Sequence, residues 1–275
     1  MTTSLNPPRF GLIIIGDEIL SGKRQDKHMP KVIELLAARG HVLSWARYLG
    51  DDRAAIADAL RDVWAGSDVV FSCGGIGATP DDHTRQAAAA ALGVPLELHP
   101  EARVLIESRM QDLAREKGLP YEPDHPDNIH RLNMGVFPAG ARIIANPYNK
   151  IPGFSCRHGD ATVHFVPGFP VMAWPMIESV LETQHPAGDA LARRRERSIV
   201  VFGAMEAALT PLMERIEAIH PAVKVFSLPS VDHPEYGRHI ELGVKGPDAE
   251  TAVAYGDMLA GLRATGARLG PEMVR

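Results

Sequence analysis

The sequence has few cysteines and no long apolar run, and each of these shortages excludes a class of protein. Its two cysteines, Cys73 and Cys156, form no CxxC pair, which argues against a zinc ribbon, a redox dithiol and a secreted disulfide scaffold. The apolar run from Leu12 to Ile15 is too short to cross a membrane. Residues 1–9 lack the apolar segment of a signal peptide. We therefore expect a cytoplasmic protein with no membrane partner.

The chain also lacks an excess of positive charge. Lysine and arginine number 29 and aspartate and glutamate 34, so the formal net charge is -5. A general nucleic-acid binder needs a basic surface to displace counterions from phosphates, and nucleic acid is therefore a disfavoured partner. The sequence contains neither an HExxH nor a GxSxG motif, which leaves a zinc protease or a serine hydrolase without support.

The first ninety residues alternate between strand and helix patterns. Phe10 to Ile15 is a continuous apolar run that ends at Gly16, which is typical of a strand buried on both faces. The same criteria predict strands at residues 41–49 and 69–72, and helices at residues 30–39, around Ile56, Leu60 and Val63, and at residues 84–92. This order predicts an α/β fold with a parallel sheet covered by helices on both faces.

The pattern changes near residue 190. Before that point we predict a helix at residues 100–117, a loop at 118–126, short strands at 142–145 and 162–166, and a helix at 172–181. We interpret the arginine-rich run 193–197 as a solvated linker or the charged end of a helix. Beyond it, predicted strands at 199–202, 223–228 and 239–245 and helices at 206–219 and 248–262 form a small α+β module. The predicted domains are residues 1–190 and 196–275.

The strongest candidate for a binding site is a glycine-rich loop between the strand at 69–72 and the helix at 84–92. Gly74, Gly75 and Gly77 allow the backbone to turn sharply and bring its N–H groups close to a ligand. The helix that follows adds a partial positive charge, so the loop is a candidate anion cradle. It matches neither the P-loop nor the Rossmann fingerprint, and a tight strand-to-helix connection remains the structural alternative.

Two aspartates, Asp81 and Asp82, lie within this loop. They would repel an anion unless they bind a metal, contact a substrate hydroxyl or cap the helix. Because aspartate is favourable in a first helical turn, we assign Asp81 to capping and Asp82 to function.

Acidic residues also follow the other two predicted strands. Asp17 and Glu18 come after the first strand, and Asp51 and Asp52 come after the second. Carboxylates that converge at neighbouring strand ends are costly unless a cation or ligand uses them, and carboxylate oxygens suit Mg²⁺. The sequence therefore indicates a metal-assisted site, with an ordinary polar loop as the alternative reading.

Together these motifs resemble the molybdopterin-binding family, which includes the molybdenum-cofactor biosynthesis proteins of the MoaB and Mog type and the N-terminal domain of competence/damage-inducible protein A. The resemblance covers residues 9–182 and rests on an ordered set of loops. These loops are Gly16–Gly22 with Gln25–Lys27, Gly74–Thr84, Asn128–Gly140, Asn146-Pro147 with Pro152–Phe154, and Pro167–Pro170. The module from Ser198 onward resembles the small domain, described as KH-like, that follows in the damage-inducible branch.

The resemblance implies a three-layer α/β/α fold with a mostly parallel sheet, and a pocket for molybdopterin or a nucleotide. It implies catalytic roles for Asp52 and Asp82, and a divalent metal, Mg²⁺ or Co²⁺, bound by Asp51, Asp52 and Asp82. The ligand-binding residues that it implies, together with the motifs above, are Gly16, Asp17, Glu18, Ser21, Lys27, Gly74, Gly75, Gly77, Thr79, Thr84, Pro152, Gly153, Pro167 and Gly168.

Three functions remain open at this point. The first is binding of a phosphorylated pterin or nucleotide, with or without catalysis. The second is metal-dependent cleavage of a dinucleotide pyrophosphate such as ADP-ribose or FAD, which the resemblance to the damage-inducible branch implies. The third and least favoured is nucleic-acid binding through the GxxG of Gly243–Gly246, which we interpret as a turn. Symmetric self-association is the base-rate expectation for such a protein.

Some positions depart from the family pattern. Ile76 replaces a threonine of the adenylyltransferase loop, Ala78 stands where a proline is usual, and Tyr148 to Lys150 replace a smaller, glycine-containing stretch. The chain ends at Arg275, where many proteins of the damage-inducible branch continue into an amidohydrolase domain. Nicotinamide-nucleotide deamidation is therefore not expected.

Overall fold

The computed structural model describes residues 8–186 and 194–275. The chain divides into two compact units, Met1–Ala187 and Gly188–Arg275. No helix in the described residues is both long enough and apolar enough to cross a membrane.

The first unit is built from eight strands and seven helices, counted over residues 8–186. The strands are β1 (Phe10–Ile15), β2 (Leu43–Leu49), β3 (Val69–Cys73), β4 (Leu96–Leu98), β5 (Val136–Pro138), β6 (Arg142–Ile144), β7 (Gly153–His158) and β8 (Ala161–Val166). The helices are α1 (Asp17–Leu20), α2 (His28–Ala37), α3 (Arg53–Trp64), α4 (Thr84–Leu92), α5 (Pro100–Glu116), α6 (Pro126–Leu132) and α7 (Pro170–Gln184).

Six of these strands form one sheet in the order β2-β1-β3-β8-β7-β6. The pairs β1–β2, β1–β3 and β3–β8 are parallel, whereas β7 runs antiparallel to both β8 and β6. Every residue of β1 and β3 is buried, as expected for strands with helices on both faces. The predicted α/β fold with a mostly parallel sheet is confirmed.

The alternation of side chains along β1 assigns its residues to two separate cores. Ile13 and Ile15 pack with residues of α3, α4 and α5 on one face of the sheet. Leu12 and Ile14 pack with residues of α2 and α7 on the other face. The first unit therefore has the three layers that the resemblance implied, with the sheet in the middle.

The structure corrects several element boundaries. Helix α2 begins at His28 rather than Pro30, because both carboxylate oxygens of Asp26 accept backbone N–H groups at its start, from His28 at 2.8 Å and from Met29 at 3.1 Å. Gly153 opens strand β7 rather than lying in a turn. A side chain at this position would collide with the carbonyl oxygen of Phe165, so the glycine serves close strand packing. Helix α6 and the β4–β5 pair were not predicted.

The second unit contains four strands and two helices in residues 194–275. They are β9 (Arg194–Phe202), α8 (Glu206–Ile219), β10 (Lys224–His233), β11 (Gly237–Pro247), α9 (Asp248–Ala264) and β12 (Arg268–Val274). The antiparallel sheet has the order β10-β11-β9-β12, and β-α-β-β-α-β is the element order of ferredoxin-like domains. Its core lies between the sheet and the two helices. The predicted α+β module is confirmed.

Two interpretations of this module were wrong. Residues 243–246 lie inside β11, so the GxxG sequence is part of a strand and not a turn. The arginine-rich run enters β9 from Arg194 onward instead of forming a linker, while Arg193 lies outside the described residues. Charged side chains of this strand form ion pairs with residues outside it. Arg195 Nε lies 3.4 Å from Asp248 Oδ1, and Glu196 Oε1 lies 2.9 Å from Arg275 Nη1.

Candidate functional site

The loops that carry the candidate functional residues meet at one edge of the six-stranded sheet. Parallel strands β1, β2, β3 and β8 all end there, so the loops that follow them lie side by side. Backbone hydrogen bonds join neighbouring loops, from Gly16 N to Leu49 O and from Gly74 N to Val166 O, both at 3.0 Å. This edge therefore unites candidate residues that lie far apart in the sequence, such as Gly16 and Gly168.

A cavity of about 290 Å³ opens at this edge. Its walls include the apolar residues at the ends of β1 and β3, and its rim carries charged side chains from the loop between α1 and α2. The lining residues are Ile14, Ile15, Glu18, Ile19, Arg24, Gln25, Asp26, Lys27, His28, Cys73, Gly168, Phe169 and Pro170. An apolar interior with a few polar groups is the usual composition of a small-molecule site. Three candidate ligand-binding residues, Glu18, Lys27 and Gly168, line it.

His28 closes this cavity through a contact that sequence analysis missed. Its Nε2 lies 2.9 Å from the carbonyl oxygen of Gly168, although the two residues are 140 positions apart. The side chain is buried at the start of α2. It thus joins the loop before α2 to the loop after β8. In the sequence, His28 is a single histidine outside any recognisable motif, so this contact could not be predicted.

Pro152 and Gly153 lie at the same edge, because antiparallel β7 begins where β8 ends. Neither residue lines the cavity, and Pro167 is also absent from its walls. Their positions fit a role in shaping the loops, while direct ligand contact by these residues stays a prediction.

The glycine loop between β3 and α4 is held against the ends of the strands. Gly74 and Gly75 have φ angles of 109° and 68°, in the region that favours glycine. A side chain on Gly74 would collide with the carbonyl oxygen of Ile15, and one on Gly75 would collide with Thr84. The Thr84 hydroxyl donates to Gly74 O at 3.1 Å. Because Thr84 is fully buried, it holds the loop in place rather than offering its hydroxyl to a ligand.

The capping role predicted for Asp81 is wrong, and Asp82 is bonded within the loop, so that its functional role stays a prediction. Asp82 accepts hydrogen bonds from both the backbone N–H, at 2.8 Å, and the hydroxyl of Thr79, so its carboxylate organises the loop. Asp81 is exposed and does not cap α4, whose N-cap residue is His83. The N–H groups of the loop need an acceptor, and one of the two aspartates supplies it. Two identical neighbours in the sequence do not reveal which of them does so.

Asp81 instead lines an open basin that also receives the carboxylates following β1 and β2. The basin has a volume of about 680 Å³ and is lined by Asp17, Glu18, Leu20, Ser21, Lys23, Asp51 and Asp81. Carboxylates from the ends of three neighbouring strands thus face one space, as their positions after the strands predicted. The candidate residues Asp17, Glu18, Ser21 and Asp51 are among them.

Burial and the neighbouring carboxylates both disfavour the ionised form of Asp51. Burial and the neighbouring charges of Asp17, Glu18 and Asp81 raise the pKa of Asp51, although the hydrogen bond from Asp17 N acts in the opposite direction. Asp52 points elsewhere, since its carboxylate accepts the Ala55 N–H at 2.7 Å and caps α3. The acidic pair after β2 therefore divides into one basin residue and one helix cap.

The basin suits a hard, hydrated cation better than a metal enclosed by protein ligands. No three histidine, cysteine, aspartate or glutamate side chains within residues 8–186 and 194–275 are grouped so as to hold a metal ion. The implied set of Asp51, Asp52 and Asp82 is therefore not a preformed site, because Asp52 and Asp82 are engaged in capping and loop bonds. Mg²⁺ commonly uses only one or two carboxylates and completes its shell with water and ligand phosphates, and the oxygen donors of the basin fit that mode.

Comparison with known proteins places this geometry in a family. The sequence profile of a family described as a probable molybdopterin binding domain matches residues 11–187. The chain belongs to this family. The match begins in β1 and spans every loop of the candidate site, so the family match lies in the first unit.

Individual relatives support the same assignment. The chain is 36% identical over 208 residues to a CinA-like protein of Citrifermentans bemidjiense, which covers 75% of this chain and 47% of the relative. It is 32% identical over 215 residues to a CinA-like protein of Syntrophotalea carbinolica, covering 76% and 50%. The chain thus spans about half the length of these curated relatives.

A solved structure has the same fold. The CinA protein of unknown function from Thermoplasma acidophilum is 26% identical and superimposes with a TM-score of 0.54. The alignment covers 63% of this chain and 97% of the other. The alignment thus includes nearly all of the Thermoplasma chain but only part of the present one.

Proposed function

We propose that this chain binds a phosphorylated pterin, with molybdopterin as the ligand that the family description suggests. The observation that carries the proposal is the cavity at the carboxyl edge of the sheet, which combines an apolar wall with a charged rim. A flat heterocycle would contact the wall formed by Ile15, Cys73 and Phe169. Its phosphate would be attracted by Arg24 and Lys27 at the rim.

The loop geometry supports the proposal in a second way. The N-terminus of α4 follows the glycine loop directly, and a helix N-terminus preceded by a tight turn is favourable for a phosphate group. Gly74 stands where a side chain would collide with the end of the neighbouring strand β1, and Gly75 stands where one would collide with Thr84. The close approach of loop and strand is therefore built into the sequence.

Titration with molybdopterin, monitored by calorimetry, tests this function. We expect saturable binding at one site per chain, weakened at least about tenfold by Lys27→Gln, since a charged hydrogen bond is worth about 1.5–3 kcal/mol. Lys31→Gln is the matched control, because Lys31 pairs with Glu34 on the surface of α2 and does not line the cavity. Absence of binding by the folded wild-type protein would reject a pterin ligand.

A second function, metal-dependent cleavage of a dinucleotide pyrophosphate, is favoured by the acidic basin beside the cavity. Asp17 and Asp51 are the residues that would hold a divalent cation, since their carboxylates face the basin and the Asp52 carboxylate does not. Such a cation, when bound, would neutralise charge on the phosphoryl oxygens of the substrate. The residues of the chain would orient the pyrophosphate across the edge of the sheet.

Hydrolysis of ADP-ribose and FAD in the presence of Mg²⁺, Mn²⁺ or Co²⁺ tests this second function. The informative variant is Asp51→Asn, which removes a basin charge and keeps an oxygen that can accept the Asp17 N–H. Asp58→Asn on the exposed face of α3 is the control. Turnover that is lost in Asp51→Asn and normal in Asp58→Asn would establish an enzyme. Absence of turnover with any metal would leave ligand binding as the function.

A further inference from the structure

Arg85 is an unusual feature of the first unit, because its cationic side chain is buried without an acidic partner. It is the second residue of α4 and only 5% exposed. Among the described residues, no carboxylate oxygen lies within 4.0 Å of its guanidinium nitrogens. Its Nε is buried and has no hydrogen-bond partner there. Buried charges are normally paired, so this arrangement needs an explanation.

The location adds to the cost. A cation in the first turn of a helix faces the positive end of the helix dipole. Burial lowers the pKa of Arg85, and the more distant charge of Asp82 offsets this only in part. Arginine nevertheless remains protonated in proteins. The chain therefore keeps a positive charge at a place where both the helix and the surrounding protein oppose it.

Within residues 8–186 and 194–275, the one side-chain hydrogen bond of Arg85 is directed at the glycine loop. Its guanidinium donates a hydrogen bond to the carbonyl oxygen of Gly77. The buried charge and the helix N-terminus thus both lie beside the glycine loop, and both favour negative charge there.

We propose that Arg85 is a positioning residue for a phosphate or pyrophosphate group, and that an anion bound at the Gly74–Thr79 loop is the missing partner of its charge. This deepens the proposed function, on which it rests, by making the loop beside α4 a contact for the anionic part of the ligand in addition to Arg24 and Lys27 at the rim. Arg85 acts through the loop, by its charge and by its bond to Gly77, and not by surface contact.

Thermal unfolding with inorganic pyrophosphate and inorganic phosphate, in EDTA and against potassium chloride at equal ionic strength, tests the proposal. We expect pyrophosphate to raise the Tm of the wild-type protein. Arg85→Met should lose this rise, with binding weakened at least about tenfold. Without the anion, its Tm reflects two opposing changes, the removal of an unpaired buried charge and the loss of the hydrogen bond to Gly77, so the anion-induced rise is the quantity to compare. Arg85→Lys should retain part of the rise.

A purely structural role for Arg85 gives the opposite pattern. Arg85→Met would then keep the full pyrophosphate-induced rise, which would overturn the proposal. If this variant does not fold, the ¹⁵N resonance of Arg85 Nε in the wild-type protein decides the question. A shift of this resonance during pyrophosphate titration supports the proposal, and an unchanged resonance overturns it.

The same experiments separate this inference from the proposed function. Protection of the wild-type protein by pyrophosphate without any binding of molybdopterin would retain the Arg85 site and reject the pterin. Binding of molybdopterin that Arg85→Met leaves unchanged would retain the ligand and reject the role of Arg85.

Discussion

Asp17 and Asp51 each accept a hydrogen bond from the backbone N–H of the other. Asp17 N donates to Asp51 Oδ2 at 2.9 Å, and Asp51 N donates to Asp17 Oδ1 at 3.2 Å. The exchange joins the loops that follow β1 and β2 and uses one oxygen of each carboxylate. Two like charges are thereby held side by side at the edge of the basin. This relationship makes the basin responsive to pH and to cations.

The first prediction concerns the pH dependence of stability at Asp51. The pKa of Asp51 is raised above its ordinary value of 3.8, so the ionised form is disfavoured in the folded protein. The resulting penalty is present above the folded pKa and disappears below pH 3.8. Asp51→Asn should therefore stabilise the protein at pH 7, by at most about 1 kcal/mol for such a solvent-facing group, and have no stabilising effect at pH 3.

Denaturant unfolding at several pH values measures this effect. A stabilisation of Asp51→Asn that is equal at pH 3 and pH 7 would contradict the electrostatic explanation. Addition of Mg²⁺ should reverse the order at pH 7 if the cation binds the basin, since only the wild-type protein would gain stability from it.

The second prediction distinguishes the two loop aspartates. Asp82→Ala removes the acceptor for two donors of Thr79 and should lower the free energy of unfolding by about 1–3 kcal/mol. Asp81→Ala changes an exposed side chain and should alter stability by less than about 0.5 kcal/mol. Urea unfolding of both variants provides the comparison. Equal stability of the two would show that the Thr79 bonds contribute nothing.

The third prediction compares two glycines that share a backbone conformation but not an environment. Gly75 and Gly22 have φ angles of 68° and 73°, so alanine at either position costs about 1–2 kcal/mol in backbone strain. Only at Gly75 would the added methyl group also meet Thr84, whereas nothing lies within 4 Å at Gly22. Gly75→Ala should therefore be more destabilising by about a further 1–3 kcal/mol. Similar losses for both variants in thermal unfolding would show that the loop relaxes easily.

The fourth prediction concerns a buried histidine outside the site. Burial lowers the pKa of His164 from 6.5 to about 3, and its Nδ1 lies 2.7 Å from Ser155 Oγ. The unfolded chain binds a proton below pH 6.5 that the folded chain rejects, so folding stability is lost as the pH falls from that value. This loss amounts to about 1.4 kcal/mol per pH unit.

His164→Asn removes the titrating group. It should therefore make the stability of the protein less steeply dependent on pH between about 6 and 4, where an unfolded histidine takes up its proton. The quantity to compare is the slope, because the substitution also costs packing energy at every pH. An unchanged slope would show that other groups cause the acid sensitivity.

Much of the first unit followed from patterns that are local in the sequence. The run of three isoleucines in β1 can be buried only if helices cover both faces of the sheet, and that condition predicts the layers. Helix α4 has the predicted bounds, Thr84–Leu92, because Gly93 takes the left-handed conformation that ends it. By contrast, β7 was missed because Gly153 was interpreted as a turn residue.

The roles of the acidic residues were beyond local patterns. Asp51 and Asp52 are identical neighbours, as are Asp81 and Asp82. In each pair one residue faces the basin, while the other caps a helix (Asp52) or bonds within its own loop (Asp82). Which residue does which depends on the direction of the chain as it leaves the strand. The sequence gives the residues of the loop, but it does not show in which direction the chain leaves the strand.

The sequence by itself determined the fold class and the edge of the sheet at which the loops gather. These follow from hydrophobic periodicity and from the rule that parallel strands end at one edge. Tertiary structure alone decided that His28 meets Gly168, that Asp17 pairs with Asp51 and that Arg85 is buried without an acidic partner. Such contacts join segments brought together by packing, and their energies depend on burial, which no local pattern of residues specifies.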